Sequence, residues 1–323
     1  MAEHKVSIVN VGYESYDIER EILEPIGAAV HVVPEDPATE EDVILAAKDS
    51  DAILVREAPI TAKVIGAFQR CKIIARYGVG VDNVDLEAAK ENKIYVSNVP
   101  DYGTEEVSDH AVCLLLACIR GVLARDKNLR QGIWEADIDD PIYRTTGKNL
   151  GIIGYGRIGR AFHRKWKGFL PERVMAYDPY VSEDIMQEKG AEKTDLDTVL
   201  SSSDYISIHA ALTHETRHMI DESAFGKMKD SAILINTARG PIVEQRALTK
   251  TLQENRILAA GLDVFEGEPL AKDNPLVEMP NVVLSGHVAW YSKDSIRALQ
   301  TRAAEEVQRV LTGKTPICWV NPW

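Results

Sequence analysis

The chain has 323 residues, 45% of them hydrophobic, and a formal net charge of −13. That length suits about two domains, and the acidic balance argues against nucleic acid and anionic membrane as main partners. The four cysteines, Cys71, Cys113, Cys118 and Cys318, show no CxxC pair and no metal-ligand spacing; no metal is expected, and Cys113 and Cys118 are expected to be buried thiols in a reducing cytoplasm.

The first residues carry no signal-peptide pattern, and the longest apolar run, residues 111–119, is too short to span a bilayer. A cytoplasmic protein is expected. From residue 5 to about 100, short apolar runs alternate with amphipathic segments. Residues 6–9, 30–33, 52–55, 73–75 and 94–96 read as strands, and segments such as 40–47 as helices. Such alternation predicts a parallel, doubly wound sheet. Residues 104–131 read as one long helix, with Glu105 and Glu106 in its first turn, where acids suit the helix dipole. Its middle, 112–119, is apolar nearly all round, which predicts burial between domains or subunits. His110 on that helix reads as a packing or interface residue. Trp134, near its end, reads as packing, with a neighbouring subunit's cleft the alternative.

A second alternating block follows, with strands at 150–153, 174–177, 205–209, 232–236, 258–262 and 282–284. Six strands are what a full dinucleotide-binding domain needs. After the first comes Gly154-Tyr155-Gly156-Arg157-Ile158-Gly159, opening a helix through Ala161, Phe162 and Trp166. The first glycine allows a tight turn, the second lets backbone approach a pyrophosphate, and the third lets helix and strand pack closely. Free N–H groups at the helix start face the phosphates. Asp178, nineteen residues after Gly159, ends the next strand and is placed to accept hydrogen bonds from an adenosine ribose. Pro179 and Tyr180 offer no arginine to neutralise a 2′-phosphate, which predicts NAD over NADP. A last helix, 292–311, carries Ile296, Leu299, Ala303, Val307 and Val310 at helical spacing. The expected organisation is two doubly wound parallel-sheet α/β domains. Residues 1–101 and 291–323 form a substrate domain, and 102–290 form a nucleotide domain inserted into it.

Ligands of an open parallel sheet sit outside the carboxyl ends of its strands. In the second block those ends run into Thr237-Ala238-Arg239, into Asp263 and Glu268, and into Ser285-Gly286-His287. Singly, Arg239 reads as a surface ion pair, Glu268 as a solvated loop residue and His287 as a helix-entry residue. Together, beside a nucleotide fingerprint, they suit hydride transfer with proton exchange. Arg239 can clamp a carboxylate and polarise the adjacent carbonyl. His287 can give or take the proton on that oxygen, Glu268 can hold the imidazole, and Asp263 is left to bind a nicotinamide carboxamide. His214 and His218 have no carboxylate at metal-ligand spacing and read as loop surface. Trp290, three residues after His287, would share its face if the last helix starts at once. It is then expected to form an apolar wall against the substrate's side chain, with a plug between domains as the alternative.

At these residues the chain resembles the D-2-hydroxyacid dehydrogenase family. The matching segments are Arg76-Tyr-Gly-Val-Gly-Val-Asp-Asn83, Gly154-Tyr-Gly-Arg-Ile-Gly159, Asn236-Thr-Ala-Arg-Gly-Pro-Ile-Val243, Leu262-Asp-Val-Phe-Glu-Gly-Glu-Pro269 and His287, in family order. The resemblance implies a Rossmann domain inserted into a flavodoxin-like one, with Arg239, Glu268 and His287 as the catalytic set. It implies a cofactor lining of Thr104, the 154–159 turn, Asp178, His209, Ala210, Ala211, Thr216, Thr237, Ala238 and Asp263. Val79 and Gly80 would offer N–H groups to substrate, and Arg56, Tyr77, Tyr102 and Trp290 would shape its pocket. The implied substrate is a small anionic 2-keto or 2-hydroxy acid, and the implied assembly a homodimer, which the apolar 112–119 stretch also suggests. The segment His287-Val-Ala-Trp290-Tyr291-Ser292 is similar to a narrower branch, the C-terminal-binding proteins, which makes an NAD(H)-sensing binding protein the competing reading. Three positions depart from the family pattern. Gly286 stands where proline commonly precedes the histidine, Glu244 replaces aspartate, and His209-Ala-Ala-Leu-Thr213 replaces His-x-Pro-Leu-Thr.

Overall fold

A computed structural model describes residues 3–9, 12–33, 39–134 and 142–323. In chain order the first elements are β1 (His4–Val9), α1 (Asp17–Leu23), β2 (Ala28–Val32), α2 (Glu40–Ala47), β3 (Ala52–Val55), α3 (Ala62–Gly66), β4 (Ile73–Arg76), α4 (Leu86–Glu91) and β5 (Tyr95–Ser97). Next come α5 (Thr104–Arg120), α6 (Val122–Arg130), β6 (Leu150–Ile153), α7 (Arg157–Trp166), β7 (Val174–Tyr177), α8 (Glu183–Glu188), β8 (Glu192–Lys193) and α9 (Leu196–Ser202). The last are β9 (Tyr205–Ile208), α10 (Glu222–Phe225), β10 (Ile233–Asn236), α11 (Gln245–Gln253), β11 (Ala259–Leu262), β12 (Val282–Leu284) and α12 (Lys293–Leu311). The chain divides into two compact units, Met1–Gly103 with Ser292–Trp323, and Thr104–Tyr291.

The first unit is built on a parallel sheet of order β2-β1-β3-β4-β5, the flavodoxin-like winding. β3 and β4 are buried at each residue, as the apolar runs 52–55 and 73–75 require of strands covered on both faces; the buried Arg76 that ends β4 pairs with Glu57 at 3.0 Å. Helix starts are marked by side chains that satisfy exposed N–H groups. Thr39 and Asp42 form a capping box on α2, and Ser292 and Ser295 another on α12.

The second unit carries a parallel sheet of order β12-β11-β10-β9-β6-β7-β8. The order reverses between β6 and β9, which makes a crevice at their carboxyl ends. One core cluster takes Leu114, Leu115 and Ile119 from α5 with Phe162 and Trp166 from α7. Another takes Val199, Leu200, Ala224, Phe225 and Leu248 from α9, α10 and α11. The seventh strand, β8, escaped the sequence reading because its two residues, Glu192 and Lys193, make no apolar run.

Four expectations need correction here. The helix predicted over 104–131 breaks at Gly121, whose φ of 56° and ψ of 33° are left-handed, so that α5 and α6 are bent by 61°. Among the described residues no single helix is long and apolar enough to cross a membrane. The apolar 112–119 stretch is largely used inside its own unit. Leu114, Leu115 and Ile119 are buried, with Val112, Leu116 and Cys118 packed against the same core. Cys113 is exposed rather than buried. The exposed apolar side chains lie further on, at Val122, Leu123, Leu129, Ile133 and Trp134. Trp134 is 86% exposed, so it does not pack within the chain.

Candidate active site at the carboxyl edge of the seven-stranded sheet

The turn after β6 admits little but glycine. Gly154 has φ +88°, and a Cβ there would lie 2.6 Å from the Ala210 nitrogen; one at Gly159 would lie 2.2 Å from the Gly154 oxygen. At Gly156 a Cβ would meet nothing within 4 Å, which leaves open space over the backbone. Gly156 is also the N-cap of α7 and supplies no side-chain cap, so the first N–H groups of Arg157 and Ile158 remain for a ligand. Tyr155 offers the site only its backbone. Its ring is fully buried, with the hydroxyl 2.7 Å from His163 Nδ1. The Asp178 carboxylate is fixed at the end of β7 by two main-chain donors, Tyr155 N–H to Oδ2 and Tyr180 N–H to Oδ1, both at 2.8 Å. Thr237 Oγ1 and Thr104 Oγ1 are buried without a hydrogen-bond partner among the described residues. Two orphaned hydroxyls, an uncapped helix start and open space beside Gly156 fit a bound dinucleotide.

His209 is a correction. Its Nε2 lies 2.9 Å from Ser207 Oγ and its ring packs 5.1 Å from Phe162, so the imidazole belongs to the core. Burial pushes its pKa down to about 3, and only the main chain of His209, Ala210 and Ala211 is left for a cofactor. Thr216 likewise closes its own loop, donating to the Ala211 oxygen at 2.7 Å and accepting from Thr213 N–H at 2.8 Å.

Three strand ends deliver the candidate catalytic groups. After β10, Asn236 braces the loop, with Oδ1 accepting Ala238 N–H and Nδ2 donating to the Arg239 oxygen, both at 3.0 Å. The half-buried Arg239 guanidinium donates from Nη1 to the Ala238 oxygen at 2.8 Å. After β11, Glu268 turns back so that Oε1 accepts Phe265 N–H at 2.9 Å and Oε2 lies 2.7 Å from His287 Nδ1. Burial pulls the Glu268 carboxyl upward, but the His287 bond, the Phe265 amide and the His287 and Arg239 charges outweigh it; the carboxyl lies below its ordinary range. After β12, His287 adopts φ +55°, a left-handed conformation that a non-glycine residue keeps only where its surroundings impose it. The imposing group is Asp263, which is 1% exposed. Its carboxylate accepts from Ser285 Oγ at 2.6 Å, Val288 N–H at 3.0 Å and Ala289 N–H at 2.9 Å. Asp263 was expected to be free for a carboxamide; three donors of its own unit already hold it.

Trp290 does not ride on the last helix, which begins only at Lys293. It lies in the loop, half-buried, with its indole N–H donated to the His287 oxygen at 2.9 Å. His218, read as loop surface, pairs with Glu266. In the first unit, Arg56 is half-buried after β3, while Val79 is exposed and Gly80 half-buried in the turn after β4. Tyr102 is half-buried. Tyr77 is 2% exposed and donates its hydroxyl to the buried Glu19 at 2.6 Å, so its ring is core rather than pocket. The sequence reading missed Asn236 and Ser285 as braces because a polar residue ending a strand carries no spacing signal.

Comparison with known proteins bears on this arrangement. Residues 112–289 match the family described as D-isomer specific 2-hydroxyacid dehydrogenase, NAD binding domain. A glyoxylate reductase of Korarchaeum cryptofilum is 40% identical over 291 residues, covering 89% of this chain and 87% of its own. A D-3-phosphoglycerate dehydrogenase of Archaeoglobus fulgidus is 38% identical over 85% of this chain, which spans about half (52%) of that longer protein. Among solved structures, an acyclic imino acid reductase in complex with NADPH and D-Arg superimposes with a TM-score of 0.89 at 28% identity, covering 98% of this chain and 99% of its own.

Proposed function

The chain belongs to the D-isomer specific 2-hydroxyacid dehydrogenase family, whose members are NAD-dependent oxidoreductases, and we propose that it interconverts a small 2-keto acid and its (R)-2-hydroxy acid. The observation that carries this reading is the 2.7 Å pair of His287 Nδ1 and Glu268 Oε2, on a loop end beside Arg239. With Nδ1 engaged, Nε2 is the nitrogen left to exchange a proton with the substrate oxygen. Glu268 fixes the orientation of the ring through its bond to Nδ1. Arg239 binds the substrate carboxylate through two parallel N–H groups and stabilises charge on the adjacent oxygen. NADH held there would provide the hydride for the carbonyl carbon, and NAD would provide the acceptor for the reverse direction. The chain's part is to hold the acid, orient its carbonyl and move one proton at Nε2. The Gly154–Gly159 turn, the Thr237 hydroxyl and Asp178 hold the dinucleotide. Asp178, followed in sequence by Pro179 and Tyr180 rather than an arginine, favours NAD over NADP. Trp290, tied to the His287 carbonyl, is the wall against the substrate's side chain.

The relatives that carry activity names are reductases and dehydrogenases, which supports an enzyme over an NAD(H)-sensing binding protein. A cytoplasmic homodimer acting on a small anionic acid is the working assignment. The test is turnover of NADH with a panel of 2-keto acids, with NADPH and the His287→Ala variant as controls. At least one acid is expected to turn over with NADH far faster than with either control. A panel on which wild type and His287→Ala are equally slow favours the binding protein.

A further inference from the structure

The clamp on the His287 loop extends one residue beyond Asp263. His110, on α5, places Nε2 2.8 Å from Ser285 Oγ and 3.6 Å from Asp263 Oδ1. Ser285 in turn donates to that same Oδ1 at 2.6 Å. A serine hydroxyl has one proton. With that proton given to Asp263, the Ser285 oxygen can only accept, so His110 Nε2 must be the donor. The chain of donation therefore runs from His110 to Ser285 to Asp263.

Asp263 holds the loop at several points: Val288 N–H and Ala289 N–H on its carboxylate, and His287 N–H on its main-chain oxygen at 2.6 Å. His287, at φ +55°, needs that support. Gly286 before it supplies no rigidity of its own. If the Ser285 hydroxyl swings off Asp263, Oδ1 keeps only the Val288 N–H at 3.0 Å, and the backbone that aims His287 Nδ1 at Glu268 loses part of its anchor.

We propose that His110 is a positioning residue for the reaction: protonated at Nε2, it pins Ser285 onto Asp263, and Asp263 holds the loop that presents His287. This rests on the reading of His287 as the acid/base. It gives His110 a role that the sequence, which read as packing or interface there, did not suggest.

The test compares His110→Leu, which keeps bulk and removes the donor, with His110→Gln, whose side-chain N–H lies near the place of Nε2. His110→Leu is expected to lower kcat about tenfold, the size of one lost hydrogen bond, while the dissociation constant for NADH stays within about twofold of wild type. His110→Gln is expected to recover most of that loss. In a Ser285→Ala background the leucine should cost nothing more, because its partner is gone. In the unmutated protein, nitrogen NMR should find His110 protonated at Nε2. Wild-type kcat in His110→Leu, equal losses in Gln and Leu, additive losses in the double variant, or a proton at Nδ1 alone would each overturn the proposal. If His287→Ala proves as active as wild type, it is the acid/base reading that falls. The clamp is then still decided by the tautomer and by amide exchange at Val288 and Ala289, which His110→Leu and Ser285→Ala are both expected to accelerate; unchanged exchange sinks it.

Discussion

At the scale of single residues, the site is a set of strand ends whose side chains are held by their neighbours before any substrate arrives. Asn236 braces the Arg239 loop, Phe265 N–H holds Glu268, and Asp263 holds the segment around His287. Preorganisation of this kind is what makes one group expensive to replace. Arg239→Lys keeps the charge but loses the planar fork, so turnover is expected to fall by the equivalent of about 3 kcal/mol, roughly a hundredfold. Steady-state kinetics on the best keto acid checks it, and a variant within a fewfold of wild type removes Arg239 from the site. Arg239 and His287 stand out in the sequence as unusual residues three positions past an apolar strand, and Glu268 as one six positions past. Tyr77 and His209 misled for the opposite reason. Each follows a strand as a site residue would, yet the ring turns inward, onto Glu19 in one case and onto Ser207 and Phe162 in the other. Sequence position gives the strand end; it does not give the rotamer.

At the scale of elements, most strands could be read to within a residue or two because buried parallel strands are short unbroken apolar runs. β3, β6, β7 and β12 begin and end where those runs do. What could not be read was a break inside a pattern that stays helical on both sides. Nothing in the 104–131 periodicity marks Gly121 as more than a tolerated glycine, yet it is left-handed and separates α5 from α6. That conformation costs an L residue about 1–2 kcal/mol. Gly121→Ala is therefore expected to destabilise the fold by about that amount, even though alanine is the better helix former. A denaturant midpoint equal to or above wild type would mean that the two helices can fuse without cost.

At the scale of the whole molecule, two properties follow from what the fold encloses and what it leaves out. Burial, with a smaller contribution from the Lys167 charge, lowers the pKa of His163 to about 4, and burial lowers that of His209 to about 3, from a starting value of 6.5. Both folded values are depressed, so the unfolded chain takes up protons first as pH falls. Their stability contribution is complete above about pH 6.5 and is lost between there and about pH 4 for His163 and about pH 3 for His209, at up to about 1.4 kcal/mol per pH unit for each ring. Urea unfolding at pH 7 and pH 5.5 should show this loss, and His163→Gln should make it shallower. An unchanged slope would mean that His163 is not buried in its neutral form. The second property concerns assembly. With residues 112–119 used inside their own unit, the case for a homodimer moves to Val122, Leu123 and Leu129 on α6, with Ile133 and Trp134 beyond it, all exposed. Val122 and Leu129 are seven residues apart and so share a helix face. A contiguous apolar patch on a single chain marks an interaction surface. The chain's net charge of −13 would oppose self-association, but α6 itself carries Arg125, Lys127 and Arg130 against a single Asp126, so this segment is locally basic. Two copies meeting here would bury apolar surface where the general repulsion is weakest. The wild-type protein is therefore expected to sediment as a dimer at micromolar concentration. Leu123→Glu with Trp134→Glu should shift it to monomer while its NADH affinity is kept, since neither residue belongs to the proposed cofactor site. A stable wild-type monomer, or a dimer untouched by both glutamates, would leave this patch without the partner proposed for it.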